Sequence, residues 1–416
     1  MKKYWLCIEP SVFIWKDNDR ILLYNSYNYE KMLQARHSSI DNLIDALIEP
    51  SNFFSVLFSD ADTKCEEFKE FVEKIVGNRM GHILPFEKND GKPITIPPHY
   101  VFPQEIKRLK EKKIELYDGN MLDNLQSVTM QITGECSLSC SSCDLFHKQI
   151  NHCSKLKDEL PLEAIKAIVF KLSLTNIRKI NIIGGDIFRH TDFSKVIDVL
   201  DDIAPVKIFH SHFKFVNKCT TQLLLRDDSN ILLKILVEPL DIWLEDICLL
   251  LDELHEFNNR LIWAFALTSE DSLKNFEHLV NRYKISNYEY HVLFNGHNMD
   301  FIIERCFLNE DEIWQSELGM KDVFANQILN KIFFGKLMIY ANGLIYDDQN
   351  EPPIGTIHDN MEKMLYGLMW NEGAWLRIRR NVPCRGCVNR FLCPPPSRLE
   401  SLLRRNTICN IITNTD

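Results

Sequence analysis

The chain has 416 residues, 45% of them hydrophobic and 25% charged, with a formal net charge of −10. That is ordinary globular composition with length for two or three domains; the acidic balance argues against a general nucleic-acid binder, and no apolar run approaches a membrane span. The apolar N-terminal stretch is broken by Glu9, Pro10 and Lys16, so it does not read as a signal peptide, and a cytoplasmic location is expected.

Tyr4 to Ile8, Val12 to Trp15 and Arg20 to Tyr24 are rich in aromatic and β-branched residues and read as strands, with Lys16 to Asp19 as a hairpin turn. Ser39 is expected to cap a helix carrying Ile40, Leu43, Ile44, Leu47 and Ile48 on one stripe. A second helix should turn Cys65, Phe68, Val72, Ile75 and Val76 inward and end at Gly77. Residues 1–90 therefore read as a small α+β domain. Four prolines between Lys88 and Pro103 mark a linker, and residues 91–124 are expected to hold that linker and a helix. The basic runs Lys107 to Lys113 and Arg377 to Arg380 read as solvated faces.

From residue 125 to about 300 strand and helix alternate. Val128, Met130 and Ile132 alternate with polar residues, a short strand, and Gly134 opens a loop holding Cys136, Cys140 and Cys143. Three thiolates at this spacing can hold three irons of a [4Fe–4S] cluster and leave the fourth open. A zinc ion is the alternative, with a fourth ligand from His147, His152 or Cys153. Pro161 opens a helix with Leu162, Ile165, Val169 and Leu172 on one face. Lys179 to Ile183 is a strand ending in Gly184, Gly185 and Asp186. A helix around Phe193, Val196, Ile197 and Leu200 follows, then strands at Val206 to Phe209, Ile231 to Val237 and Leu261 to Leu267. A helix over 272–283 and a sixth strand at Tyr288 to Phe294 complete the pattern. Six strands with crossover helices imply a parallel sheet or partial barrel, whose chemistry belongs on loops at the C-terminal strand ends. Cys219 and His291 are candidates to face such a barrel, against the plainer readings of a core cysteine and a strand histidine.

The last stretch, 301–416, changes character. Asn342 and Gly343 signal a hairpin within Met338 to Tyr346. Cys384, Cys387 and Cys393 then give a second metal-ligand spacing, for an iron–sulfur cluster or zinc, which Cys409 or Cys306 could complete. Six of the 13 cysteines thus cluster as ligands; Cys7, Cys65, Cys219, Cys248 and Cys306 stand in apolar contexts and read as core filler.

The C-x3-C-x2-C loop after a first strand, Gly-Gly-acid after a second, and a C-terminal C-x2-C-x5-C segment together resemble the radical SAM enzymes with a SPASM extension, many of which mature ribosomally made peptides. The resemblance covers about residues 125 to 410. It implies an α/β fold: a partial (β/α)6 barrel with a SPASM-like C-terminal extension. The first 90 residues are similar, in element order, to the small winged-helix-like domains that take a leader peptide as an added strand; the other reading is a cap on the larger domain. The resemblance implies a [4Fe–4S] cluster on Cys136, Cys140 and Cys143, with S-adenosylmethionine on the open iron beside Gly184, Gly185 and Asp186. Ser142 stands where the family usually places an aromatic residue near the adenine, and Ser137 stands where Asn often follows the first cysteine. Cys384, Cys387 and Cys393 would hold a second cluster or zinc. Asp347, Asp348 and Ser397 replace other auxiliary-cluster cysteines, which implies that one auxiliary cluster is missing.

The implied activity is hydrogen abstraction from a precursor peptide by a 5′-deoxyadenosyl radical, with an external electron donor. Two alternatives stand beside it. One is a non-catalytic partner, of the pseudo-radical-SAM kind, that binds precursor peptide or a companion maturase. The other is a zinc-stabilised scaffold.

Overall fold

The computed structural model describes residues 2–88, 91–98, 121–138, 140, 142–154, 156–201, 203–225, 230–370 and 373–411. The expected linker lies only partly within these residues, and the basic run from 107 to 113 lies outside them. No helix among the described residues is long and apolar enough to cross a membrane.

The N-terminal unit runs β1 (Lys3–Ile8), β2 (Val12–Lys16), β3 (Arg20–Asn25), β4 (Lys31–Ala35), α1 (Ser38–Ile48), β5 (Ser55–Ser59), α2 (Glu66–Gly77) and β6 (Gly81–Pro85). The expected hairpin between β2 and β3 forms because the Asp17 carboxylate accepts from Asp19 N at 2.9 Å and Arg20 N at 2.7 Å. The strands divide into two antiparallel sheets, β5-β1-β6 and β2-β3-β4. Helix α1 buries Ile40, Leu43, Ile44 and Leu47, and α2 buries Phe68, Phe71, Val72 and Ile75 against Leu6 and Ile8 of β1. Two expectations are corrected. His37, not Ser39, occupies the N-cap of α1, with the Ser39 hydroxyl held 2.8 Å from His37 Nδ1. Val76 is exposed, because Phe71 and Ile75 already fill the inner face at the i, i+4 spacing.

The main sheet starts with β7 (Ser127–Thr133), followed by α3 (Cys143–Phe146) and α4 (Leu162–Ser173). Next come β8 (Lys179–Gly184), α5 (Phe193–Leu200), β9 (Val206–His212), α6 (Lys218–Leu224) and β10 (Ile231–Val237). Then α7 (Leu244–Glu253), β11 (Leu261–Leu267), α8 (Glu270–Tyr283) and β12 (Tyr288–Val292) follow. All six expected strands are present, and they pair in parallel in sequence order. Side chains in β7 alternate between two environments. Val128, Met130 and Ile132 face the helices and join Ile165, Ile168 and Leu172 of α4 in the core. Ser127 and Thr129 face the inside of the curved sheet, where Asn181 Nδ2 donates to their hydroxyls at 3.3 and 3.4 Å. Such a pattern puts the packed core outside the strands and a polar space within them.

After α9 (Met299–Cys306), α10 (Glu310–Gln315) and α11 (Met320–Ile328), the chain returns to the same sheet. Strand β13 (Lys336–Ile339) pairs in parallel with β7, and β14 (Leu344–Tyr346) and β15 (Gly355–Thr356) extend that edge. The expected hairpin at Asn342-Gly343 is the β13–β14 turn, with Gly343 at φ 81°, a conformation that suits glycine. Helices α12 (Met361–Trp370) and α13 (Arg398–Leu403) follow. The N-terminal unit docks on this C-terminal part: Phe13, Leu22 and Tyr24 pack with Ile313, Val323, Val388 and Leu392. The Tyr24 hydroxyl donates to Leu318 O at 2.7 Å and accepts from Leu318 N at 2.8 Å.

The run Arg377 to Arg380 is not simply a solvated face. Arg377 Nη1 donates to Asp348 Oδ2 at 2.6 Å, and Arg379 Nη1 donates to the buried Glu400 carboxylate at 2.8 Å.

Candidate functional site

The cysteine loop leaves the C-terminal end of β7 and is held by the turn after β8. Gly185 N donates to Thr133 O at 3.0 Å and Asp186 N to Glu135 O at 2.7 Å. A Cβ on Gly185 would stand 2.1 Å from Glu135 O and 2.8 Å from Cys136 Cβ, and one on Gly184 would stand 2.9 Å from Thr133 O. The two glycines therefore let the turn lie directly against the backbone that carries Cys136. The Asp186 carboxylate accepts from Phe188 N at 3.2 Å and lies 3.4 Å from Arg189 Nε. Burial pushes its pKa up.

Within the loop, Cys140 and Cys143 hydrogen-bond to each other, and Cys136 lies within electrostatic range of both. The Cys140 bond holds the Cys143 thiol down, but its bond to Cys153 and burial outweigh that and leave it raised to about 12. Cys140 is raised by its bond to Cys143 and then by burial, and Cys136 by burial. Clustered buried thiols of this kind ionise readily only when a cation takes up their charge. Ser142, at the N-cap of α3, accepts from Leu145 N and Phe146 N through its carbonyl at 3.0 and 2.9 Å.

Two of the three suggested extra ligands reach this loop. Cys143 Sγ lies 3.8 Å from Cys153 Sγ, which lies 3.0 Å from His152 Nδ1. The ligand atoms of these three residues all fall within 4.8 Å of one another. The Cys140, His212 and Glu238 ligand atoms form a second compact group of the same kind. His147 instead donates through Nδ1 to Cys143 O at 3.0 Å.

Below the loop lies a cavity of about 640 Å³ between the strands. Gly184, Gly185, His152 and Cys153 line its upper end, and Asn181, His210, Lys234, Glu289 and His291 line its middle. Burial lowers the pKa of His152, His210 and His212, which keeps these imidazoles neutral. Glu289 stays ionised: burial pushes it up, but His291 at 2.9 Å and Lys234 at 2.6 Å hold it at about 2. His291 thus faces the cavity, whereas Cys219 is exposed on α6. Strand β9 extends past the expected end at Phe209 because His210 and His212 continue it with their side chains toward the cavity. His210, Lys234 and Glu289 were missed because each reads in isolation as a strand residue on a polar face. The signal was their alternation with buried Phe209, Ile235 and Leu233.

The C-terminal cysteines lie apart from this loop. Cys387 and Cys393 each lie within electrostatic range of Cys384 and of Cys409. Cys306 lines the cavity instead. Burial pushes Cys393 up to about 12 and also raises Cys387. Asn389, inside this loop, is fully buried, and neither polar atom of its side-chain amide has a hydrogen-bond partner. An orphaned amide beside these thiols, three of them buried and Cys387 partly so, fits a bound metal or cluster whose sulfurs accept from it.

The chain matches no family model and none of the curated proteins. Among solved structures it is similar to SuiB of Streptococcus suis bound to S-adenosylmethionine. The identity is 12%, with 93% of this chain and 94% of that chain covered, at a TM-score of 0.46. SuiB bound to the precursor peptide SuiA is 13% identical over 94% of each chain, with a TM-score of 0.46. BtrN in complex with AdoMet and 2-DOIA is 9% identical over 61% of this chain and 91% of that chain, with a TM-score of 0.33.

Proposed function

We propose that the chain is a radical SAM peptide-modifying enzyme that acts on a ribosomally synthesised precursor peptide. One observation carries this reading: the loop with Cys136, Cys140 and Cys143 sits at the mouth of a polar cavity, seated by Gly184 and Gly185 at the C-terminal ends of β7 and β8. The three cysteines would hold a [4Fe–4S] cluster, with the main chain at Gly184 and Gly185 beside the bound cofactor and Ser142 at the adenine side. When bound, the cluster and S-adenosylmethionine supply a carbon-centred radical able to remove a hydrogen from an unactivated carbon. The protein's own part is to hold the cofactors, exclude water and present the peptide. Cys384, Cys387, Cys393 and Cys409 would hold a second metal or cluster.

The partners on this reading are a precursor peptide and an external electron donor. The N-terminal unit, with its sheet edges, would take the leader segment. Saturable binding of a labelled precursor peptide to the full chain, read by fluorescence anisotropy, is expected. A flat titration would remove the unit from recognition.

Reconstitution with iron and sulfide under anaerobic conditions, followed by reduction, should yield 5′-deoxyadenosine and methionine from S-adenosylmethionine. Cys140→Ala should abolish both products, because two thiolates of the loop remain. A reconstituted wild type that yields no 5′-deoxyadenosine, with or without peptide, would end the catalytic reading.

A second reading has its own observation. The 3.8 Å between the Cys143 and Cys153 sulfurs matches two thiolates on one tetrahedral zinc, given a Zn–S bond of about 2.3 Å. Zinc on Cys143, Cys153 and His152 would make the loop part of a zinc-stabilised scaffold that needs no redox chemistry. One zinc and no iron at this loop, by elemental and Mössbauer measurement, would decide for it.

A further inference from the structure

The chain as a whole is acidic, at −10, yet the wall of its cavity carries Lys179, Lys234, Lys336 and Arg398 against Glu289 and Asp347. Both carboxylates are already engaged. Glu289 Oε1 takes Lys234 Nζ at 2.6 Å and His291 Nε2 at 2.9 Å, and Asp347 accepts from Ala374 N at 2.6 Å and Asp348 N at 3.0 Å. Three cations remain. Lys179 Nζ has no hydrogen bond or ion pair among the described residues. Among the described residues Lys336 Nζ reaches only the carbonyls of Ile332 at 2.7 Å and Lys331 at 3.4 Å. Arg398 donates through Nη1 to Asn151 Oδ1 at 3.3 Å, and its Nε is buried without a partner.

These three groups stand together. Lys336 and Lys179 both pair with Ser127 in the sheet register, one from each side, so they flank it at the N-terminal end of β7. Lys336 is exposed as a residue, and its charge is weakened first by partial burial and then by the nearness of Arg398 and Lys179. Gln349 Oε1, on the same wall, is also buried without a donor. Like charges held together in a cavity, beside an orphaned donor and an orphaned acceptor, call for an anionic ligand with an adjacent N–H. The cysteine loop leaves the opposite end of β7, about 20 Å from Ser127 for seven residues of strand, whereas Arg398 reaches along the wall to Asn151, next to His152. A cofactor seated at that loop would have its own carboxylate far from Lys179 and Lys336, which flank Ser127.

We propose that Lys179, Lys336 and Arg398 receive a carboxylate of the peptide that enters the cavity, with Gln349 Oε1 accepting from a neighbouring peptide N–H. The proposal rests on the peptide-substrate reading above and names its substrate class: a peptide that presents an acidic side chain or its own C-terminal carboxylate to the cavity. Lys179 and Arg398 are then specificity-determining residues and take no part in the chemistry.

The test uses the full metal-loaded chain and three N-acetylated tripeptides with glycine at both ends. The first has a central glutamate and an amidated C-terminus, the second a central glutamine and an amidated C-terminus, and the third a central glutamine and a free C-terminus. Affinities are read by calorimetry or ligand-detected NMR. The glutamate peptide, the free-carboxylate peptide, or both should bind about tenfold more tightly than the neutral one, and which of them does so identifies the source of the carboxylate. Lys179→Met and Arg398→Gln should each erase that preference at unchanged melting temperature and metal content, and Lys179→Arg should restore it. Equal affinity for all three peptides, or a preference that survives both variants, overturns the proposal. So does displacement of the acidic peptide by S-adenosylmethionine, which would assign the wall to the cofactor. No turnover is needed. Absent 5′-deoxyadenosine with an intact acidic preference would sink the enzymatic reading and leave this one standing.

Discussion

Gly185→Ala is expected to strip the first cysteine loop of its metal while leaving the C-terminal centre loaded. The added methyl would stand 2.1 Å from Glu135 O and 2.8 Å from Cys136 Cβ. The turn cannot swing away without cost, because Gly185 N and Asp186 N are clipped to Thr133 O at 3.0 Å and Glu135 O at 2.7 Å. Either those bonds break or Cys136 moves out of range of Cys140 and Cys143. Overpacking of this kind costs about 1–3 kcal/mol, and a displaced ligand should lower metal at the loop by about tenfold, since ligand geometry governs affinity. Gly77→Ala is the control: nothing lies within 4 Å of its added methyl, and it is the last residue of α2. Elemental analysis of both variants, with Cys387→Ala to report the C-terminal share, measures the effect. Full metal occupancy in Gly185→Ala would show that the loop is positioned by something other than this turn.

Arg379→Met should destabilise the C-terminal segment by about 3–5 kcal/mol, the cost of leaving one partner of a buried ion pair uncompensated. The side chains of Arg379 and Glu400 are 5% and 2% exposed and 2.8 Å apart. Burial works against the Arg379 charge, but Glu400 outweighs it and holds the guanidinium protonated. Arg379 Nε also donates to Pro394 O at 2.7 Å, and its Nη1 lies 3.8 Å from Cys384 Sγ. Glu400 in turn accepts from Ser397 N at 2.6 Å and from Ile408 N at 3.2 Å, beside Cys409. The pair therefore ties the stretch with Cys384 to the stretch with Cys409, and its loss should release metal from that centre as well as lower the melting temperature. Adding Glu400→Gln should recover part of the stability, because the neutral amide does not leave a buried charge behind. Chemical denaturation of the two variants, with metal content measured alongside, checks both parts. A single variant that unfolds like the wild type would mean that the pair is solvated in solution.

The sequence by itself determined the six parallel strands of the main sheet and where the first cysteine loop falls between them, but not β4, β5 and β6 of the N-terminal unit. Val128, Met130 and Ile132 declare β7 through a period of two, and the spacing of Cys136, Cys140 and Cys143 is local to a single loop. Gly184 and Gly185 were legible for the same reason, since a close backbone approach excludes a Cβ wherever it occurs. The hairpin at Gly343 and the face of α1 also follow from neighbours a few residues apart.

Tertiary structure alone decided what those loops meet. Cys153 and His152 reach Cys143 through the path of the loop, and Cys409 comes within electrostatic range of Cys387 and Cys393 across a separation in sequence that no local spacing encodes. The lining of the cavity depends on parallel register: His210 pairs with Lys234, and Ala264 with Glu289, only once strand order is set. A polar residue in a strand shows that one face is not packed in apolar core. It does not show whether that face meets bulk water or an enclosed cavity. For Lys179, Lys336 and Arg398 the difference matters most, because they come from two strands and a helix far apart in the sequence. The curvature of the sheet and the return of β13 to the edge of β7 are what place them around one space.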